Sequence, residues 1–196
     1  MKTLFASAIS LTLATTTPTS AQSQSFVIDA NANQLTWTGY AEVGSWAPSG
    51  TVRLLKGQLT QTGNRVSKAT MVLDMTTIQH ENDQLQTHLR DEAFFDVARF
   101  PTATFALGSI TNATASGQLT VRGVTKPIMF PVVISQEGSA LRIKGRAVID
   151  RTQFGIRYNS TGFFADLGDQ AIKNEFALTF DVVAKPIETG KRGATQ

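Results

Sequence analysis

The feature that most constrains this chain is an alternation of apolar and polar residues that recurs along most of its length. The clearest case runs from Leu141 to Ile149, where apolar or small residues alternate with basic ones. A period of two is typical of β-strands with one buried face, because successive side chains point to opposite faces. The same pattern recurs at 35–39, 69–75 and 176–182.

Turn-forming residues separate these segments. Gly63-Asn64, Ser116-Gly117 and 137–139 are each typical of turns, and the spacing predicts about eight strands. One stretch, 80–91, lacks Gly and Pro and brings Leu85 and Leu89 onto one helical face. We therefore expect an all-β chain with a short helix near one end.

Eight antiparallel strands can form a sandwich or a closed barrel, and only closure removes both exposed edges. We favour an eight-stranded antiparallel β-barrel, whose interior is either filled by side chains or holds one small ligand. Several inward positions carry small residues, among them Gly39, Gly145 and Ala147. They could leave room for a slim apolar guest or complement large neighbours in a solid core.

The N-terminal segment is typical of a secretory signal peptide: Lys2 precedes an apolar run and then small polar residues up to Ala21. We expect residues 1–21 to be removed, 22–185 to form the barrel domain and 186–196 to be a flexible tail. The chain would then be periplasmic or secreted. Its apolar N-terminal run is shorter than the roughly 20 residues that a membrane span needs.

Composition excludes several classes of function. The net charge is only +3, and the basic residues are scattered rather than clustered, which argues against nucleic-acid binding. Cysteine is absent, so the fold cannot depend on disulfides and no thiol chemistry is available.

Four ordered motifs carry a resemblance to a known family. They are Thr87–Val97, Phe100–Phe105, Gly117–Ile128 and Ile149–Tyr158. Together they resemble the successive signatures of the YceI-like family, over about Phe26 to Val183. The resemblance implies a lipocalin-like barrel in an exported bacterial protein that binds polyisoprenoids, such as prenylated quinones, in an elongated cavity.

The start of the chain departs from the family pattern. Many members carry histidines along the first two strands, whereas this chain has none between Asp29 and Gly39. The resemblance therefore implies the fold and an apolar ligand, and does not carry over a headgroup contact by those histidines.

Candidate ligand contacts are the large apolar residues at inward positions and the phenylalanines that follow the predicted helix. Each of them could equally be ordinary core. They are Trp37, Leu73, Phe94, Phe95, Phe105, Leu119, Ile143, Phe176 and Phe180.

Signals for catalysis are weak. His80 and His88 lie eight residues apart, which does not match the i, i+4 spacing of helical zinc ligands, so we expect no metal and no cofactor. Motifs for a serine nucleophile or for phosphate binding are missing, and Ser45 and Ser49 are the only hints of a lipid hydrolase.

Two functions remain open, and neither is enzymatic. The first is a carrier for a long apolar lipid, with transient contact with a membrane and an unidentified protein partner. The second is a structural or protein-interaction module of the cell envelope with a filled barrel. Inward small residues and the family resemblance favour the carrier.

Overall fold

The computed structural model describes residues 22–30 and 33–188. Nine strand segments and one α-helix follow one another in chain order. They are β1 Ser23–Ile28, β2 Gln34–Thr38, β3 Ser49–Thr62, β4 Arg65–Gln79, α1 Asp83–Arg90, β5 Thr102–Thr111, β6 Thr114–Val121, β7 Val124–Glu137, β8 Ala140–Asp150 and β9 Glu175–Pro186.

The nine segments form an eight-position antiparallel barrel, which confirms the predicted fold. Consecutive strands from β3 to β9 pair with their neighbours, and β1 and β2 both pair with β3 on one side and β9 on the other. The first two segments therefore share one position. Closure satisfies the outer edges that an open sheet would expose.

Two-residue turns fix the register between the long strands that they connect. Arg122-Gly123 connects β6 to β7 with positive φ at both residues, the conformation that suits a two-residue hairpin. Gly63-Asn64 and Gly138-Ser139 connect two further hairpins, as predicted. Ser116-Gly117, predicted as a turn, lies instead within β6, and the turn falls at 112–113.

One end of the barrel is covered, and the other is ringed by short hairpins. Helix α1 begins after Asn82, whose side chain accepts a hydrogen bond from the backbone N–H of Leu85, and it buries Leu89. The loops 39–48 and 151–174 lie at the same end, which we call the helix end. The opposite end, with the turns of β3–β4, β5–β6 and β7–β8, is the mouth end.

The predicted signal peptide lies outside the described residues, as does the end of the predicted tail from 189 onward. Strand β9 continues to Pro186, and the backbone N–H of Ile187 donates to the carbonyl of Ser25. The described residues contain no helix that is both long and apolar enough to span a bilayer.

Candidate functional site

The barrel interior contains three apolar chambers. The helix-end chamber has a volume of about 60 Å³, the central chamber about 40 Å³ and the mouth chamber about 50 Å³. Polar atoms contribute almost nothing to their walls. Since one water requires about 10–15 Å³ of such space, each chamber has room for only a few methyl-sized groups.

Three phenylalanine rings separate the central chamber from the mouth chamber. Phe105, Phe130 and Phe180 line both chambers, together with Met71. The ring centroids of Phe105 and Phe130 lie 5.2 Å apart, and those of Phe130 and Phe180 lie 5.8 Å apart with nearly perpendicular planes. These are favourable aromatic contacts. We call the three rings the aromatic partition.

Two glycines make the partition fit. A Cβ on Gly145 would overlap the Phe180 ring, and one on Gly117 would overlap the Phe105 ring. At each position the absence of a side chain leaves the space that a phenylalanine ring occupies. The sequence left open whether Gly145 makes room for a guest or complements a large neighbour. The structure shows that it complements the Phe180 ring. It also explains why Gly117 belongs in a strand.

The helix-end chamber is built by α1, the loop after it and the first residues of β9. Leu89, Phe94 and Phe95 form one wall, and Trp37 and Phe176 form another. The indole Nε1 of Trp37 donates to the carbonyl of Gln79 at 3.2 Å, so its one polar group is satisfied. The ring is therefore free to present an apolar surface to the chamber.

A buried arginine also borders this chamber. Arg151 is 4% exposed, and its guanidinium donates to the carbonyls of Ile156, Ile172 and Lys173 at 3.0–3.1 Å. Its charged group lies 6.0 Å from the centroid of the Phe94 ring. Burial lowers the pKa of Arg151, and nearby Asp150 partly opposes that effect. The side chain joins the beginning of loop 151–174 to its end.

The mouth end carries both polar and apolar side chains. A cleft there is lined by Gln61, Asn64, Arg65 and Gln136 around the apolar side chains of Val66 and Ile110. Val66 and Ile110 also line the mouth chamber, so the cleft leads directly to the interior. The cleft can accommodate a polar headgroup while an apolar chain extends inward.

The structure places all nine predicted contact residues on chamber walls. Trp37, Phe94, Phe95 and Phe176 line the helix-end chamber. The others line the central chamber, the mouth chamber or both: Leu73, Phe105, Leu119, Ile143 and Phe180. Their contact with a ligand stays a prediction.

Sequence reasoning missed Phe130, the middle ring of the partition. The alternation of Ile128, Phe130, Val132 and Ile134 along β7 would have revealed it. Two prolines at 127 and 131 interrupt the strand pattern and obscure that signal.

Each of the two histidines contacts residues of the protein at the helix end of the barrel. The Nδ1 of His80 accepts a hydrogen bond from the backbone N–H of Asn82, next to the start of α1. His88 packs edge-on against Tyr158 and Phe94, at centroid distances of 4.4 and 5.0 Å. Within the described residues, no three His, Cys, Asp or Glu side chains are grouped so that they could hold a metal.

Curated relatives match part of the chain. A UPF0312 protein of Staphylococcus aureus strain MRSA252 is 31% identical over 101 residues, which is 48% of this chain and 59% of that protein. A UPF0312 protein of Yersinia enterocolitica is 32% identical over 76 residues, which is 37% of this chain and 40% of that protein. The chain therefore aligns with less than two thirds of either relative.

Solved structures share the fold at low identity. The crystal structure of Burkholderia cenocepacia BcnA superposes with a TM-score of 0.68 at 19% identity, covering 81% of this chain and 99% of that one. A polyisoprenoid-binding domain from Saccharophagus degradans superposes with a TM-score of 0.63 at 13% identity, covering 84% of this chain and 99% of that domain. The family model described as YceI-like domain matches residues 26–184. This match covers most of the sequence and all but the ends of the barrel, and the chain therefore belongs to the YceI-like domain family.

Proposed function

We propose that this protein is an exported carrier that holds a long apolar chain of the polyisoprenoid type inside its barrel. The observation that carries the proposal is the series of three apolar chambers from the helix end to the mouth end. The polyisoprenoid-binding domain with the same fold supports this ligand class. The expected export of the mature chain supports the periplasm or the cell exterior as its location.

A slender chain suits this interior better than a compact ligand. The chambers are small and separated by side chains, so a chain would occupy them one after another as the aromatic partition moves aside. Each buried methylene-sized group contributes about 0.8 kcal/mol against water. A bilayer offers nearly the same apolar environment, so exchange between membrane and barrel should be close to balanced.

The mouth cleft gives the chain an orientation. Its polar side chains, including Arg65 and Gln136, surround the opening of the mouth chamber. Apolar walls deeper in the barrel offer a headgroup no hydrogen-bond partner, and burying one there would cost several kcal/mol. We therefore place the headgroup at the mouth and the chain terminus toward the helix end.

The test is to purify the mature chain, extract it with organic solvent and identify lipids by mass spectrometry. Ala103→Leu and Ala115→Leu add volume inside the central and mouth chambers. Ala106→Leu, on the same strand as Ala103 but exposed, is the matched control. Circular dichroism establishes that all variants fold.

We expect a stoichiometric prenyl compound in the unmodified protein and in Ala106→Leu, and a reduced amount in the two interior variants. Absence of lipid from every folded sample would contradict the carrier function. It would favour the alternative of a filled barrel that acts as an envelope or interaction module.

A further inference from the structure

The barrel wall lacks backbone pairing along part of one strand pair. Strands β7 and β8 pair from Val132↔Gly145 to Glu137↔Ala140, and the ladder ends there. The preceding half of β7, 124–131, pairs only with β6, and the remaining half of β8, 146–150, pairs only with β9. We call this unpaired stretch the β7–β8 seam.

The sequence explains the seam. The pair flanking a two-residue hairpin exchanges both hydrogen bonds, and such pairs then alternate along the ladder. Counting from Val124, the amide positions of β7 that face β8 opposite residues 146–150 are 127, 129 and 131. The N–H of Val132 donates to Ala113 on the β6 side, as this alternation requires. Pro127 and Pro131 therefore remove two of the three donors that β7 could direct across the seam, and leave only the amides of β8 opposite them.

Apolar side chains flank the seam on both sides of the wall. Inside, Ile128 and Phe130 of β7 and Ala147 and Ile149 of β8 line the central chamber. Outside, three large apolar side chains are exposed on the same two strands: Met129 at 72%, Val133 at 64% and Val148 at 51%. Only one layer of backbone separates the apolar outer surface from the apolar chamber.

The charge beside the seam is favourable for a phospholipid surface. Arg142, Lys144 and Arg146 project from the outer face of β8. Asp181 pairs with Arg142 at 2.7 Å and with Lys144 at 3.1 Å, whereas Arg146 donates to the Tyr40 hydroxyl rather than to a carboxylate. With Glu137 near Arg142, three cations face two carboxylates. A small positive surplus next to exposed apolar side chains attracts anionic bilayers.

We propose that the β7–β8 seam is a lateral portal, and that its outer face binds an anionic phospholipid bilayer from which an apolar chain passes directly into the central chamber. The proposal rests on the proposed carrier function and adds the route and the docking surface. A chain moving through the seam need not cross water, whereas one moving through the polar mouth would.

Cross-linking tests the route, because the chain has no native cysteine. If the ladder continued, Met129 would lie opposite Val148, so a Met129→Cys/Val148→Cys pair joined by a cleavable bismaleimide closes the seam. The control is Ala106→Cys/Gln118→Cys, an exposed outward pair on β5 and β6, where the ladder is already formed. Dansyl-labelled farnesol in vesicles of phosphatidylcholine and phosphatidylglycerol is the probe, and both the uptake rate and the final occupancy are measured.

We expect the seam cross-link to slow uptake by at least about tenfold, and cleavage of the linker to restore the rate, while the control pair changes little. Equal rates in both cross-linked proteins, with normal final occupancy, would overturn the portal and assign uptake to the mouth. If even the unmodified protein never takes up the probe, the carrier function itself fails.

Charge substitution tests the docking surface. Met129→Glu/Val133→Glu places carboxylates on the outer face, and Leu55→Glu, an exposed apolar residue on β3, is the control. We expect the double variant alone to lose sedimentation with vesicles containing phosphatidylglycerol. Unchanged sedimentation would overturn the bilayer as occupant, and the open strand edges would then be better suited to an added strand from a protein.

Discussion

Removal of the middle ring of the aromatic partition should lengthen the chain that the barrel accepts. Phe130 is 7% exposed and contacts both other rings, so Phe130→Ala joins the central and mouth chambers. Truncation of a buried phenylalanine costs about 3–5 kcal/mol, out of a total stability of about 5–15 kcal/mol. We therefore expect the empty variant to melt about 10 °C lower but to remain folded.

The larger joined chamber of Phe130→Ala should change the preference of the protein for chain length. One further isoprene unit adds about five carbons, nominally about 4 kcal/mol of burial. If a third of this is realised in the joined chamber, the ratio of Kd values for farnesol and geranylgeraniol shifts by about tenfold in favour of the longer alcohol. Competition against a fluorescent prenyl probe measures both constants.

Phe154→Ala is the matched control for this experiment. Phe154 is equally buried, at 2% exposure, but it lies in the 3-10 helix Arg151–Phe154 and lines none of the three chambers. It should lose comparable stability without a change in chain-length preference. An identical Kd ratio in both variants would refute the view that Phe130 limits the length of the site.

Three further outcomes follow from individual contacts. Gly145→Ala should lower the free energy of unfolding in urea by about 1–3 kcal/mol, because the added Cβ overlaps a ring, whereas Gly39→Ala, with its nearest neighbour at 3.9 Å, should change it little. Arg151→Leu should lower it by about 3–5 kcal/mol, since the buried carbonyl of Ile156 and the partly buried carbonyls of Ile172 and Lys173 lose their donor. A hydrogen bond from Arg142 lowers the pKa of Asp181 to about 2, so the stabilisation is present above the ordinary carboxyl pKa near 4 and is lost as pH falls toward 2. An NMR titration should find that Arg142→Ala raises the Asp181 midpoint, and an unchanged midpoint would contradict that assignment.

The sequence predicted the barrel because alternation is a local signal. Along β8 the pattern from Leu141 to Ile149 assigns every inward residue correctly, and all nine candidate contacts line chambers. What it could not supply is the packing of one strand against another. Gly117 is a residue type common in turns, and its place in β6 is explained by the close approach of the neighbouring strand, the Ala106 carbonyl and the Phe105 ring. The split of the first barrel position into β1 and β2 likewise depends on pairing with β3 and β9.

The same two prolines that obscured β7 in the sequence define its function in our proposal. A strand that paired fully on both sides would make the wall as strong here as it is between β8 and β9, which pair over ten residues. Loss of two donors at 127 and 131 weakens the wall where it covers the central chamber. In our proposal this weakness gives the cargo a route through the wall in addition to the mouth.

The aromatic partition reduces the free energy that a bound chain would gain. An incoming chain must displace ring contacts that are already favourable, so the net gain from each methylene is smaller than the nominal 0.8 kcal/mol. In an empty, permanently open tunnel the full gain against water would accumulate along a long chain. Under the proposed carrier function, a barrel partly filled by Phe105, Phe130 and Phe180 would keep affinity moderate, and exchange with a bilayer would depend on side-chain rotation rather than on unfolding of the barrel.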